Sequence, residues 1–492
     1  MTAYRPFTLD VTDFGPIARA CVELRPLTVF VGPSNTGKSW LATLVYALHR
    51  YFGNSPRGPS PWVWTTFDTP LPEGASTALV RIAEQLRRSA SASWESAERI
   101  ELTAPVTAAI RTYLEQQSAA IGEEIERCFG VDTGARLTRR ESTGRPRILL
   151  RNAVEGTPTT AVHELTFGDE TWTFLSTIPN GVRIHGNFDT WFAADRLLTG
   201  SDSDVQPRLE WELIGTLARD MLVDYHPAFY LPADRTGLMN AHKAMVSVLI
   251  RSATKGGIRR ADPVPPLSGL RGDFLEQLVE MASRRQGVVR GGREPLRKVG
   301  ERIEDGILGG AIRVESLPGI AYPHFTYHPR GWESEGLPLT STSSMVSELA
   351  PVVLYLRHVV APGDLLIIDE PESHLHPAIQ VAFARQLAEI VGAGVRIILT
   401  THSEWVLEEL GNVVGRAGLT NRGDGKADVE PLEARDVGVW LFEPAGDGPG
   451  SKNVQEIALD AESGLYPSGF DTVAMALHND WAEIAGRRGD AE

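Results

Sequence analysis

The string GPSNTGKS, Gly32 to Ser39, constrains this chain more than any other feature. It follows a short apolar run, LTVFV (27–31), and precedes Trp40, Leu41, Leu44, Val45 and Leu48, which recur at helical spacing. Strand, glycine-rich turn and helix in that order make a cradle for a polyphosphate. Gly32 and Gly37 permit backbone angles that turn successive amides toward one anion. The helix adds its unpaired N–H groups and the positive end of its dipole. Lys38 reaches the outer phosphates, and the Ser39 hydroxyl suits the shell of a magnesium ion. The stretch Gly32, Pro33, Ser34, Asn35, Thr36, Gly37, Lys38, Ser39 and Trp40 is therefore assigned to a nucleotide, with ATP and Mg2+ as expected ligands. A chance glycine and serine loop is the competing explanation, and the correct flanks count against it.

A second apolar run, LLIIDE (365–370), places Asp369 and Glu370 at the carboxyl end of a buried strand. Ligands of open α/β sheets bind at that edge. Asp369 then serves as the magnesium ligand together with Ser39, and Glu370 orients or deprotonates an attacking water. Read alone, DEPES would more commonly be a solvated acidic turn. The next apolar run, VRIIL (395–399), ends in TTHS, so His402 is expected at the tip of a neighbouring strand, within reach of a γ-phosphate. A structural role for His402 is the alternative. His374 and His376 have a spacing that metal ligands can show, but no matching third ligand accompanies them, and a loop-structuring role is preferred.

Alternation of short apolar strands with amphipathic helices predicts an α/β fold with a parallel-rich sheet flanked by helices. Met345, Val346, Leu349, Val352, Val353 and Leu356 form one helical face; Ile379, Ala382, Phe383, Leu387, Ile390 and Val391 form another. A core is expected from 1–52 and 225–410, interrupted by an inserted helical and β segment at 53–224. An Arg- and Gly-rich helical lid or arm is expected at 236–310, and a strand and helix extension at 411–492, with its helix near 471–485. Composition closes off several classes. A formal charge of −15 excludes a uniformly basic coat for nucleic acid, and two cysteines, Cys21 and Cys128, exclude a disulfide framework. No apolar run approaches the ~18–20 residues of a membrane span. The amino terminus shows no secretory pattern, so a cytoplasmic location is expected.

The order GPSNTGKS, LPADR (231–235), STSSMVSEL, LLIIDEPESHLHP, TTHS resembles the ATP-binding-cassette side of the P-loop ATPases. More narrowly, it is similar to the SMC-like and OLD-like AAA-type ATPases of bacterial defence and repair. The resemblance implies an ABC/SMC-like P-loop ATPase core carrying a large α+β insertion. It implies that a serine-rich signature opens a helix about 25 residues before the acidic strand. Ser344 precedes Asp369 by 25 residues, and His402 follows Asp369 by 33. It further implies a homodimer or larger assembly in which Ser343 and Ser344 of one subunit close on the γ-phosphate of ATP held by another. LPADR occupies the region of the glutamine loop, where the resemblance implies that Asp234 or Arg235 senses the nucleotide; no Gln stands there, and a simple strand-terminating turn is the alternative. The signature lacks paired glycines, a departure from the transporter type.

Two runs oppose the acidic average: Arg136, Arg139, Arg140, Arg145, Arg147 and Arg151, and then Arg284, Arg285, Arg290, Arg293, Arg297, Lys298 and Arg302. Such runs can follow a phosphate backbone, so DNA or RNA is one partner to consider; solvated faces are the commoner explanation. The 90 residues after His402 show no second catalytic pattern, which favours regulation of a separate effector protein. The expected function is an ATP-hydrolysing switch serving an effector in anti-phage defence or DNA maintenance. The alternatives are an ATP-gated DNA clamp and a nucleotide-bound scaffold for a toxin or nuclease.

Overall fold

Strand pairing organises the protein, and a computed structural model describes residues 7–53, 69–90, 99–139, 144–153, 160–178, 182–185, 188–200, 205–222, 226–241, 267–283, 292–316, 323–332, 335–420, 432–444, 451–458 and 464–465. The strands are β1 (Phe7–Phe14), β2 (Ile17–Leu24), β3 (Leu27–Val31), β4 (Arg99–Leu102), β5 (Arg147–Ala153), β6 (Thr160–Gly168), β7 (Thr171–Thr177) and β8 (Val182–His185). They continue with β9 (Ala228–Leu231), β10 (Gly310–Ser316), β11 (Pro323–Pro329), β12 (Leu337–Pro338), β13 (Leu365–Asp369), β14 (Arg396–Thr401), β15 (Val437–Pro444) and β16 (Ser451–Ile457). Eleven of these form one sheet in the order β7-β6-β5-β1-β2-β16-β15-β3-β14-β13-β9. Its β15-β3-β14-β13-β9 half is parallel, and its β7-β6-β5-β1-β2 half is antiparallel.

The parallel half is buried on both faces, which is why LTVFV and LLIID read as unbroken apolar runs. Alternate residues feed two cores. Phe30, Leu365, Ile367 and Ile398 enter the one containing the helix Lys38–Phe52. Val29, Val31, Leu366, Ile368 and Leu399 enter the other, under the helices Ser344–His358, Pro377–Gly392 and Glu404–Thr420. The two apolar faces expected near 345–356 and 379–391 lie on the first two of these helices.

Some elements differ from the sequence reading. Residues 7–24 form a hairpin ahead of β3, where only one strand was expected; its burial alternates along β1, so its apolar residues are spaced by two. Strand pairing also crosses the expected segment boundaries. β5–β7, from 53–224, continue the sheet beyond β1, and β15 and β16, from 411–492, enter it beside β3. The division at 1–52, 225–410, 53–224, 236–310 and 411–492 therefore stands as a proposal, with strands of 1–52, 53–224, 225–410 and 411–492 sharing one sheet. The expected helix at 471–485 lies outside the described residues. Among the described residues, no helix is long and apolar enough to cross a membrane.

His163 of β6 is wholly buried, stacked on Phe174, with Nδ1 at 2.9 Å from the Ser176 hydroxyl. Burial pushes its pKa down to about 3. The folded state thus tolerates the neutral ring, while the unfolded chain takes up a proton near pH 6.5. Stability is full above 6.5 and is lost as the pH falls toward 3, at about 1.4 kcal/mol per pH unit from this residue. Urea unfolding at pH 7 and pH 5 should show His163→Gln losing about 2 kcal/mol less than wild type between them. Equal losses would contradict this account.

Candidate functional site

The phosphate loop joins β3 to the helix Lys38–Phe52, and two of its glycines are dictated by geometry. Gly32 has φ 142° and Gly37 φ 103°, in the region side chains disfavour. A Cβ at Gly32 would stand 2.6 Å from the Phe442 carbonyl oxygen of β15; one at Gly37 would stand 2.7 Å from Ile17. The loop is thus clamped by the β1–β2 hairpin and by β15. Pro33, Ser34 and Asn35 are exposed, with Asn35 at φ 61°, and the Thr36 hydroxyl donates to the Pro33 carbonyl at 2.9 Å. Trp40 turns its ring inward, over Gly15 and against Phe14 and Phe129. Among ligand contacts, only its backbone is left for the role the sequence suggested.

Lys38 is buried and its Nζ donates to the carbonyls of Gly32 (2.9 Å) and Pro33 (2.7 Å). Burial lowers its pKa to about 8, against the pull of Glu370, Asp369 and Glu372. A polyphosphate arriving here would favour the charged ammonium.

β14 lies between β3 and β13, so the carboxyl ends of three adjacent parallel strands present the loop, His402 and the acidic pair side by side. Ser39 Oγ donates to Asp369 Oδ1 at 2.8 Å, linking residues 330 positions apart. Thr400 Oγ1 donates to the same carboxylate oxygen. Burial raises the Asp369 pKa, opposed by the hydrogen bonds from Thr400 and Ser39. A buried carboxylate beside a hydroxyl, both hard oxygen donors, fits a magnesium ion, which would also offset the cost of burying the charge.

Glu370 adopts φ 45°, rare for a residue with a side chain, and its N–H donates to Thr400 O (3.2 Å) and Oγ1 (3.0 Å). Its carboxylate lies 2.9 Å from His402 Nε2, and that hydrogen bond leads the causes that hold its pKa below the ordinary carboxylate value. An ionised Glu370 suits holding a water more than extracting a proton early. His402 thus touches Glu370 in this structure, where contact with a γ-phosphate was expected. Its backbone N–H donates to Glu372 Oε1 at 2.6 Å. Glu372, Thr400 and Tyr230, whose hydroxyl meets Asp369, complete the site and were missed from sequence. Thr400 and Glu372 lay inside the quoted strings TTHS and DEPES, where only their pairing across strands reveals their work.

Ser343 caps the helix Ser344–His358, its Oγ accepting from Val346 N–H at 3.4 Å, and both Ser343 and Ser344 are exposed. They do not meet the phosphate loop's own residues through any described contact. Arg235 differs from the nucleotide-sensing expectation: it is wholly buried and spends its guanidinium inside the protein. Asp234 is exposed and paired with Arg271 at 2.8 Å. His376 Nδ1 accepts from Ala378 N–H at 3.3 Å at the start of its helix, while His374 sits at φ 64° in the preceding loop. Among the described residues, no cluster of three or more His, Cys, Asp or Glu is placed to hold a metal.

Most of the described members of the arginine runs form ion pairs. Arg136 pairs with Asp132 (2.9 Å), Arg145 with Asp169 (2.8 Å), Arg147 with Glu164 (2.5 Å) and Arg151 with Asp10 (3.1 Å). In the second run Arg297 pairs with Glu294 and Glu301, and Arg302 with Glu389. Arg140, Arg284, Arg285 and Arg290 lie outside the described residues.

Residues 298–408, which include the serine-rich helix, the acidic strand and TTHS, match the family model of the AAA domain, putative AbiEii toxin, type IV TA system. The chain carries a parallel-rich α/β core, and residues 298–408 of it are similar to that AAA domain. Three solved structures are similar to it. A Smc head bound to the C-winged helix domain of ScpA shares 11% identity at TM-score 0.39, covering 94% of this chain and 99% of that one. The SMC head domain from Thermotoga maritima shares 12% at TM-score 0.35, covering 93% and 100%. A Smc head with an extended coiled coil, bound to the C-terminal domain of ScpA derived from Pyrococcus furiosus, shares 10% at TM-score 0.42, covering 96% and 98%. No curated protein matches the chain. In this core the acidic strand and the phosphate loop meet at the Ser39–Asp369 hydrogen bond.

Proposed function

We propose that this chain is an ATP-hydrolysing switch in which ATP is sandwiched between two subunits, and that its closing and reopening regulates a partner effector in bacterial anti-phage defence or DNA maintenance. The convergence of Lys38, Ser39, Asp369, Glu370 and His402 at the ends of three adjacent strands carries this reading. The loop amides and Lys38 hold the phosphates. Ser39 and Asp369 hold Mg2+, which supplies charge neutralisation at the phosphate oxygens. Glu370, steadied by His402, orients water against the γ-phosphorus; water adds, the bond to the β-phosphate oxygen breaks, and ADP and phosphate leave.

The trans role of Ser343 and Ser344 rests on their exposure at a helix amino terminus, where free N–H groups and hydroxyls suit a phosphate. A partner effector draws support from the description of the matching family as a toxin of a type IV toxin–antitoxin system, an arrangement of paired proteins. Two subunits closing on ATP would tighten as long as the γ-phosphate persists and separate after hydrolysis.

The solution mass of Glu370→Gln, with and without Mg-ATP, tests the sandwich. The mass should double with Mg-ATP, and adding Ser344→Arg, which leaves the Ser343 cap in place, should abolish the increase. A mass that ATP does not change, or an increase that survives Ser344→Arg, would contradict closure through this helix.

A further inference from the structure

The largest wholly buried side chain in the described protein is Arg235, in the turn after β9. Four of its five N–H groups donate to backbone carbonyls, and the guanidinium pairs with a buried carboxylate. Nε donates to the Glu348 carbonyl (3.2 Å), and Nη1 to the carbonyls of Pro232 (3.1 Å) and Asp369 (2.7 Å). Nη2 donates to the Glu370 carbonyl (3.3 Å) and pairs with the Glu348 carboxylate. The other Glu348 oxygen accepts from the Thr236 hydroxyl. Glu348 is itself buried, and it stands one turn beyond Ser344 on the same helix.

We propose that Arg235 is a positioning residue that ties the serine-rich helix, at Glu348, to the backbone of Asp369 and Glu370, so that the catalytic carboxylate is aimed only when that helix is seated. The inference deepens the proposed ATPase reading and rests on it. A buried ion pair is a poor source of stability, since apolar residues of similar volume often do as well. What such a pair cannot be replaced in is geometry. Glu370 holds a disfavoured φ of 45°, and a strained backbone persists only when its surroundings over-determine it. Thr400 fixes the Glu370 N–H from one side, and Arg235 fixes the two flanking carbonyls from the other. Only a planar fork reaches these acceptors together; the Lys ammonium is a point charge with three donors. Movement at Ser343 and Ser344 passes through Glu348 to the same guanidinium.

The test compares wild type, Glu370→Gln, Arg235→Lys, and the double variant Arg235→Met with Glu348→Leu, which removes both buried charges together. The double variant should melt near wild type, bind Mg-ATP with a Kd within about threefold, and lose kcat about 10- to 100-fold, the size expected when a catalytic group is misplaced. Arg235→Lys should show the same split between kcat and Kd. In a Glu370→Gln background neither change should lower kcat further, because the effect passes through that carboxylate.

Wild-type kcat in a folded double variant, or a loss that adds in full to Glu370→Gln, would overturn the positioning role. If the double variant does not fold, the split in Arg235→Lys decides by the same criteria. Wild type without ATP turnover, or Glu370→Gln turning over like wild type, would overturn the ATPase reading itself. Normal behaviour of those two with an unaffected Arg235→Lys would overturn the positioning role alone.

Discussion

Glu370→Gln should bind Mg-ATP as wild type does and release phosphate about 100- to 10,000-fold more slowly, the range a positioned acid–base group contributes. The substitution preserves shape, and the amide can still meet His402, 2.9 Å away in the native protein. What disappears is the anionic acceptor that, in the proposed reading, orients water. Burial, which would raise the Glu370 pKa, is overcome by the His402 hydrogen bond and by nearby positive charge, so the native group is ionised at neutral pH. Steady-state phosphate release and equilibrium nucleotide binding on the same sample check both halves. Turnover equal to wild type would remove Glu370 from catalysis.

Lys38→Ala should instead fail at binding. Its Nζ sits between the carbonyls of Gly32 and Pro33, from where it would reach bound phosphates. Losing a buried, charge-assisted contact of this kind costs about 2 kcal/mol or more, a Kd raised about 30-fold. Calorimetric titration with Mg-ATP reads the change. The loop itself should persist, because Gly32 and Gly37 remain packed against Phe442 and Ile17. An unchanged Kd would mean that phosphates do not lie where the loop suggests.

Much of this site was readable before any coordinates, because its chemistry resides in contiguous strings at strand ends. Strand LTVFV followed by GPSNTGKS, and LLIIDE in a second buried strand, each carry their own context. The groups that complete the site were hidden for a physical reason: they act across strands. Thr400 matters because β14 sits beside β13, bringing its hydroxyl to both the Asp369 carboxylate and the Glu370 N–H. Arg235 read as a nucleotide sensor because a lone arginine after a strand says nothing of the buried carboxylate 113 residues away that claims it. In the arginine run at 136–151, Arg147 and Arg151 looked unpaired because their partners, Glu164 and Asp10, lie elsewhere in the sequence. β15 was expected as a strand, but its place beside β3, against Gly32, follows from pairing alone.

The most direct measurement is the identity of the nucleotide left on the protein after incubation with Mg-ATP and rapid removal of the excess. Wild type should hold ADP and Glu370→Gln should hold ATP. ATP retained equally by both, or nucleotide retained by neither, would contradict a hydrolytic site built from Lys38, Ser39, Asp369 and Glu370.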